Sequence, residues 1–266
     1  KTLKPSAGFE GKKGTNKDLD RTAKLYIGGK QARPDSGYST AVFTKSGKLV
    51  GHASNASRKD VRNAVEAANA AKGWSKTTGH LRAQILYFIA ENLSARAEEF
   101  ADRLNTLQGD NSGQKEVEAS ISRLFTYAAW ADKYDGQVHG IPMRGTALAM
   151  KEPVGVIAAL CPDTAPLLGL ISLMAPAIAM GNRVILSASE AFPLIATDFF
   201  QVLDTSDVPS GAVNILIGAH IIVAKTMAEH MDFNAVWSFP GSDRSKDIEA
   251  SSATHIKRIG VNTEQA

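Results

Sequence analysis

The sequence predicts an α/β protein whose core is a doubly wound, mostly parallel β-sheet. Two observations lead to this fold class. Five short apolar runs alternate with helical segments over the second half of the chain, and a group of entry strands and amphipathic helices precedes them. Buried parallel strands are nearly continuous apolar runs joined by helices, which is the pattern found here. The predicted parallel strands are 154–160, 184–186, 213–217, 235–239 and 256–261. The predicted helices between them are 167–180, 191–203, 221–230 and 242–252.

Residues 1–22 are predicted to form a basic, flexible linker. Their lysine and arginine residues lie among Gly, Ser, Thr and Pro, and Phe9 is the single aromatic residue of this segment. Nucleic-acid-binding segments interleave basic and aromatic residues, so this composition favours a solvated linker over nucleic-acid binding.

Short strands and an amphipathic helix follow the linker. The predicted strands, which surround glycine-marked turns, are 25–30, 41–44 and 48–54. Ser57 stands three residues before Asp60, in the arrangement of a capping box. The apolar series that follows runs at helical spacing to Ala71, with Trp74 closing it, and predicts the first helix.

Two further helices and a hairpin complete the first half of the chain. Apolar residues keep helical spacing over 81–107 and predict one long helix that ends at Gly109. The third helix is predicted over 115–134, where Gly136 stops it. Residues 138–151 alternate too irregularly for a helix and contain glycine and proline, so they predict a hairpin or flap.

Composition excludes several classes of protein. A hydrophobic fraction of 44%, a charged fraction of 21% and a net charge of +3 are typical of a soluble globular protein. Neither a signal-peptide pattern nor an apolar run of roughly 20 residues is found, so no membrane span is expected. The single Cys161 excludes a disulfide framework and fits a reducing, cytoplasmic compartment. The six histidines show no metal-ligand spacing, so no metal site is expected.

Several motifs recur in order along the chain. They are Tyr26-Ile-Gly-Gly-Lys30, Glu152-Pro-Val-Gly-Val156, Ala175-Pro-Ala-Ile-Ala-Met-Gly-Asn182 and Val208-Pro-Ser-Gly-Ala-Val-Asn214. With this order and spacing, the chain resembles the N-terminal half of an aldehyde dehydrogenase. The resemblance implies entry strands and helices over 23–135 and a Rossmann-type sheet over 153–266. It also implies a β-flap over 136–152 that makes oligomer contacts.

The turn after the first Rossmann strand departs from the family pattern. The family carries Pro-Trp-Asn-Phe-Pro, whose Asn helps to hold the oxyanion, whereas this chain carries Pro162-Asp-Thr-Ala-Pro166 and places Thr164 at the Asn position. A threonine hydroxyl is shorter, and Asp163 adds negative charge beside the oxyanion position. Loss of one oxyanion donor costs about 10²-fold to 10³-fold in rate. Thr164 is therefore interpreted as a degenerate catalytic position.

The cofactor-binding positions also depart from the pattern. The family's Lys-Pro-Ser-Glu segment, which binds the adenosine ribose, corresponds to Ser187-Ala-Ser-Glu190, so the glutamate is retained and the lysine is lost. Its pyrophosphate segment corresponds to Gly241 and Ser242, with Asp243 following. A carboxylate in the first turn of a helix interacts with the N–H groups and helix dipole that would otherwise attract phosphate. The glycine turn at Gly218 has lost a later small residue to Val223. These cofactor positions are interpreted as vestigial.

No catalytic residue is expected in this chain. The family's general-base segment corresponds loosely to 259–264, which places Asn262 or Thr263 at the glutamate position, with Glu264 a less favoured replacement. The family's nucleophilic cysteine belongs to a second domain that we expect to be absent. Cys161 is interpreted as a small buried residue, because the nearby sequence offers no base.

The departures predict a non-catalytic module, most similar to the C-terminal copy of the tandem aldehyde dehydrogenases (family 16). That resemblance implies that the chain holds no cofactor of its own. It further implies that the 138–151 flap contacts a catalytic aldehyde dehydrogenase domain or forms a homodimer, and that the parent protein oxidises aldehydes to carboxylic acids with NAD. Two alternatives remain open. One is an NAD(P)-binding fragment of an active aldehyde dehydrogenase, acting through Glu190 and Ser242; the other is a nucleotide-binding or sensing module without chemistry.

Overall fold

The structure of the chain, a computed structural model, describes residues 4–5, 22–134, 136–239 and 242–261. Within these residues the strands are β1 (Lys4–Pro5), β2 (Leu25–Ile27), β3 (Lys30–Ala32), β4 (Tyr38–Phe43), β5 (Leu49–Ser54), β6 (Gln137–Gly140), β7 (Thr146–Ala149), β8 (Val156–Leu160), β9 (Arg183–Ser187), β10 (Val213–Leu216), β11 (Ala235–Ser238) and β12 (Arg258–Val261). The helices are α1 (Arg58–Ala70), α2 (Gly79–Ala95), α3 (Ala97–Gln108), α4 (Gly113–Ala131), α5 (Pro166–Ala179), α6 (Pro193–Asp204), α7 (His220–Glu229) and α8 (Ser242–Ser252).

The central sheet is mostly parallel, as the sequence predicts. Its strands follow the order β12-β11-β8-β9-β10-β2-β3 in the described part of the chain. The first five are mutually parallel, and β2 and β3 join antiparallel at the β10 edge. Every residue of β8, β9 and β10 is buried, which explains why their sequences are mostly apolar.

Helices cover both faces of the sheet, so the predicted doubly wound α/β fold is confirmed. The chain moves from β8 through α5 to β9 and through α6 to β10, and α7 then returns it to β11 on the other side of β8. Because parallel crossovers are right-handed, this reversal places α5 and α6 on one face and α7 on the other. Helix α1 contacts α7 and packs on the same face, while α2 and α4 form an outer layer over α5.

The first helix begins where the capping box predicts. The Asp60 carboxylate accepts the Ser57 backbone N–H and the Ser57 hydroxyl, both at 2.8 Å. These bonds fix the first turn of α1, which starts at Arg58. Trp74 does not extend this helix but lies in a separate 3₁₀ turn over Lys72–Lys76.

The single long helix predicted over 81–107 is wrong, because the segment forms two helices separated at Arg96. Arg96 leaves the helical region with φ −114° and ψ 17°. Its guanidinium pairs with the Glu99 carboxylate at 2.6 Å and lies 5.3 Å from the centre of the Phe100 ring. The break redirects α3 against α4 and α6. Gly109, with a left-handed φ of 72°, ends α3 as expected.

The segment predicted to be a hairpin or flap is a two-stranded antiparallel hairpin. Strand β6 pairs with β7 from Gln137 opposite Ala149 to Gly140 opposite Thr146. Its apolar side chains remain in solvent, with Leu148 65% and Met150 69% exposed. The preceding helix α4 ends at Ala131, a few residues earlier than predicted.

Candidate functional site

The candidate site lies at the carboxyl ends of the parallel strands. The loops after β8, β9 and β10 lead directly into the helices α5, α6 and α7. Open α/β sheets bind ligands at this edge, in the crevice where the strand order reverses. Here the reversal lies between β8 and β11. Residues 240–241, which follow β11, lie outside the described residues.

Asp163, in the loop after β8, caps the loop that leads into α6. Its carboxylate oxygen Oδ1 accepts the Ser189 hydroxyl at 2.6 Å and the Ala191 backbone N–H at 3.1 Å. The Ser189 hydroxyl in turn accepts the Phe192 N–H at 3.1 Å. Pro193, the first residue of α6, has no N–H to offer. The N–H groups of Ala191 and Phe192, directly before α6, are therefore used within the chain.

The start of α7 is capped in a similar way by two side chains from other loops. The Glu190 carboxylate accepts the His220 N–H at 3.2 Å, and the Asn55 amide oxygen accepts the Ala219 N–H at 3.2 Å. Gly218 permits this approach, because a Cβ at this position would lie 2.3 Å from the Asn55 oxygen, and its φ of 144° disfavours other residues.

Glu116, on α4, caps the start of α5. Its carboxylate accepts the Leu167 N–H at 2.8 Å and the Leu168 N–H at 3.1 Å through one oxygen. The other oxygen accepts the Gln108 side-chain amide at 3.2 Å. Glu116 is 9% exposed, so these bonds hold a buried carboxylate against the positive end of the helix.

Side-chain oxygens of the chain itself thus accept N–H groups at the starts of α5 and α7 and in the loop directly before α6. Free N–H groups and the helix dipole make such termini attractive to phosphate. Here Glu116, Asp163 and Glu190 already supply negative charge to α5, α6 and α7. A phosphate would have to displace a carboxylate and would meet its charge.

The turn that contains Thr164, the predicted degenerate catalytic position, lies between β8 and α5. Thr164 is exposed, and it lies in the turn directly before α5. Cys161, three residues earlier, is fully buried. Burial raises the pKa of its thiol well above the usual range, and the nearby Asp163 charge raises it further. Because the thiolate is the nucleophilic form, this cysteine is unsuited to nucleophilic chemistry.

Two of the remaining predicted cofactor positions lie beside the Gly218 turn, since Ser187 pairs with Leu216 and Glu190 accepts the His220 N–H. Ser187 is fully buried, and its hydroxyl has no hydrogen-bond partner among the described residues. His220 is also fully buried, with its Nε2 2.7 Å from the Ala188 carbonyl oxygen. Ser242 is the first residue of α8, and Gly241 and Asn262 lie outside the described residues.

The sequence analysis missed two of the capping residues, Glu116 and Asn55. Glu116 is four residues before Ser120 and eight before Leu124, so it lies on the buried face of α4. A carboxylate on the buried face of a helix is expected to have a hydrogen-bond or charge partner inside the protein. Asn55 offered a weaker signal, as a polar residue directly before the first helix.

Metal-ligand clusters and membrane-spanning helices were both sought in the part of the chain that the structure describes. It contains no group of three or more His, Cys, Asp or Glu side chains that could hold a metal ion. No helix within it is long and apolar enough to cross a bilayer.

Comparison with known proteins identifies the family. An aldehyde dehydrogenase of Agaricus bisporus is 30% identical over 226 residues, which cover 80% of this chain and 44% of that protein. The cytosolic 10-formyltetrahydrofolate dehydrogenase of Mus musculus is 30% identical over 260 residues, which cover 91% of this chain and 28% of that protein. The betaine aldehyde dehydrogenase of Staphylococcus aureus, in complex with NAD+, has the same fold with a TM-score of 0.87 at 23% identity, over 91% of this chain and 50% of that one.

The chain spans half or less of the length of these relatives. The aldehyde dehydrogenase family profile matches residues 32–264. That match covers most of the sequence and includes the five parallel strands of the sheet, its helices and the capped loops. The chain belongs to the aldehyde dehydrogenase family.

Proposed function

We propose that this chain is a non-catalytic aldehyde dehydrogenase module that keeps the Rossmann-type scaffold and has lost its cofactor chemistry. The internal capping of α5, α6 and α7 carries the proposal. A dinucleotide brings a pyrophosphate, and such groups bind where N–H donors are free. In this chain the Ala191 and His220 N–H groups are bound to the carboxylates of Asp163 and Glu190.

The parent activity is proposed from the family alone. Relatives of this chain are aldehyde dehydrogenases, and the Staphylococcus aureus enzyme is seen with NAD+. We propose that the whole protein oxidises aldehydes to carboxylic acids with NAD, and that a catalytic domain other than this one performs the reaction. In the tandem arrangement, this chain would take the place of the partner subunit in a dimer.

The β6–β7 hairpin is the surface proposed to contact the catalytic domain. The side chains of Val138, Leu148 and Met150 are 71%, 65% and 69% exposed. The hairpin therefore presents apolar side chains to solvent. Exposed apolar patches of this kind mark interfaces. Introducing charge by Leu148→Glu or Met150→Glu should weaken assembly, whereas the matched change Gln137→Glu on the same hairpin should not. Unchanged sedimentation of the Leu148 and Met150 variants would contradict the proposal.

Calorimetric titration of NAD and NADP into the chain tests the loss of cofactor binding. We expect no binding with a dissociation constant below about 100 μM, which corresponds to roughly −5.5 kcal/mol. Tighter binding without turnover would favour the nucleotide-binding or sensing module instead. Aldehyde-dependent formation of NADH by the chain would contradict the non-catalytic assignment and favour an active fragment.

A further inference from the structure

An open groove of about 460 Å³ lies between α4 and α5. The residues that line it lie between Arg123 and Tyr134, on α4 and the turn that follows it, and between Pro176 and Met180, at the end of α5. Helix α5 starts at the carboxyl edge of the sheet and ends at the opposite edge, where β9 begins. The groove is therefore separate from the capped loops of the candidate site. Its volume is within the range of small-molecule sites, roughly 300–1,000 Å³.

Three aromatic side chains form one wall of the groove. Tyr127, Trp130 and Tyr134 follow one another at spacings of three and four residues, which places them on one side of α4 and its last turn. Trp130 is 55% and Tyr134 51% exposed. Helix α5 contributes Pro176 and Met180 to the opposite wall. Large rings left in solvent beside an apolar wall are a surface that an apolar ligand can cover.

Arg123 brings a positive charge to the first part of the groove. Its Nη1 donates to the Ser172 hydroxyl at 2.8 Å, which holds the guanidinium between the two helices. Within the described residues Arg123 has no carboxylate partner, whereas Arg103 pairs with Asp198 at 3.0 Å. A guanidinium has five N–H donors in a planar arrangement that matches a carboxylate. Most of the donors of Arg123 are therefore available to an anionic ligand.

The charges at the other end of the groove also favour an anion. The Lys151 ammonium lies 5.1 Å from the centre of the Tyr134 ring. Lys133 and Arg82 donate to backbone carbonyl groups at the ends of α4 and α5, which offsets the negative ends of the helix dipoles. The Asp132 carboxylate lies 3.8 Å from the Lys133 ammonium, and no acidic side chain is among the described residues that line the groove.

We propose that this groove binds an amphipathic monocarboxylate, a small molecule with an apolar ring or chain and one carboxylate. The apolar body covers Trp130, Tyr134 and Met180, and the carboxylate accepts N–H groups of the Arg123 guanidinium. Such charge-assisted bonds are stronger than those of a neutral ligand. The proposal does not depend on the loss of cofactor chemistry, because the groove lies at the other edge of the sheet.

Titration calorimetry of the full chain with three matched compounds tests the proposal. Phenylbutyrate, phenylbutyramide and phenylbutylamine share one apolar body and are anionic, neutral and cationic. We expect phenylbutyrate to bind at least about tenfold more tightly than the amide, and the amine to bind most weakly. Equal affinities for the three compounds would overturn the proposal. Absence of phenylbutyrate binding at concentrations up to about 10 mM would also overturn it.

Two pairs of substitutions locate the binding. Arg123→Gln should remove the preference for the carboxylate, whereas Lys115→Gln, at an exposed position of α4 outside the groove, should keep it. Trp130→Ala should weaken phenylbutyrate binding by about tenfold, whereas Phe125→Ala, at a position 38% exposed and outside the groove, should not. Circular dichroism shows whether each variant is folded.

Phenylbutyrate binding that both Arg123→Gln and Trp130→Ala leave unchanged would place the ligand elsewhere and overturn the proposal. Sedimentation of the chain identifies the other occupant that the groove could hold. If the chain self-associates, takes up no phenylbutyrate and dissociates on Trp130→Ala, the groove is an interface between copies and the proposal is wrong.

Discussion

The Asp163 carboxylate accepts the Ser189 hydroxyl at 2.6 Å and so ties the loop after β8 to the loop after β9. The same oxygen accepts the Ala191 N–H at 3.1 Å. In the sequence, Asp163 stands out as a charge unsuited to oxyanion chemistry. In the structure its carboxylate holds the loop that leads into α6. Asp163 thus stabilises the connection between these two loops.

Replacing Asp163 with alanine should destabilise the fold. The variant loses the acceptor for Ser189 and Ala191, and a capping interaction of this kind contributes about 1–2 kcal/mol. Urea unfolding followed by circular dichroism measures the change. Thr164→Ala, at the exposed neighbouring position, is the matched control and should change stability by less than about 0.5 kcal/mol. Equal midpoints for the two variants would show that the Asp163 contacts contribute nothing.

Glu116→Ala should cost more than Asp163→Ala, about 2–3 kcal/mol, because it leaves the Leu167 N–H buried without an acceptor. Glu116→Gln keeps one oxygen for these donors and should cost less. Glu118→Ala controls for helix propensity on the same helix. The Glu118 carboxylate accepts an exposed bond from Gln114, so its removal should cost little. If Glu116→Ala and Glu118→Ala unfold at the same urea concentration, the capping role of Glu116 is wrong.

The alternation of strands and helices was predictable because its signals are local. Apolar runs bounded by turns identify β8 to β12, and the spacing of Ser57 and Asp60 identifies the start of α1. The break at Arg96 was not predictable in this way, since neither glycine nor proline marks it. The caps at the site join residues 26, 51 and 164 positions apart in sequence. No local pattern encodes such pairs, and only the folded sheet brings them together.

Cys161 should resist alkylation in the native chain. It is fully buried, and burial raises the pKa of its thiol above the usual range, so the thiolate is scarce at pH 8. We expect iodoacetamide to label it only when the chain unfolds, at a rate that follows the denaturant concentration. Mass spectrometry of the intact chain detects the adduct, and a variant with an added surface cysteine at an exposed position of α4, Lys115→Cys, serves as the reactive control. Labelling of native Cys161 at the rate of that control would contradict the structure.

The stability of the fold should fall at alkaline pH through Tyr26. Its hydroxyl donates to the Asp204 carboxylate at 2.7 Å, and its ring packs 5.1 Å from that of Phe200. Burial raises the pKa of this phenol well above its usual range, and the bond to Asp204 and its charge raise it further. A group whose folded pKa is raised contributes stability below its unfolded pKa, about 10 for tyrosine, and that contribution is lost as pH rises through the folded value.

Tyr26→Phe removes this titration together with the hydrogen bond. At pH 8 the variant should be less stable than the parent chain by about 1–2 kcal/mol. Above pH 10 the difference should shrink, by up to about 1.4 kcal/mol per pH unit, because only the parent must keep a buried phenol protonated. Tyr134→Phe, at a position 51% exposed, should follow the parent at every pH. Urea unfolding between pH 8 and pH 11 measures all three proteins, and a difference that stays constant across this range would show that Tyr26 ionises as freely in the folded chain as in the unfolded one.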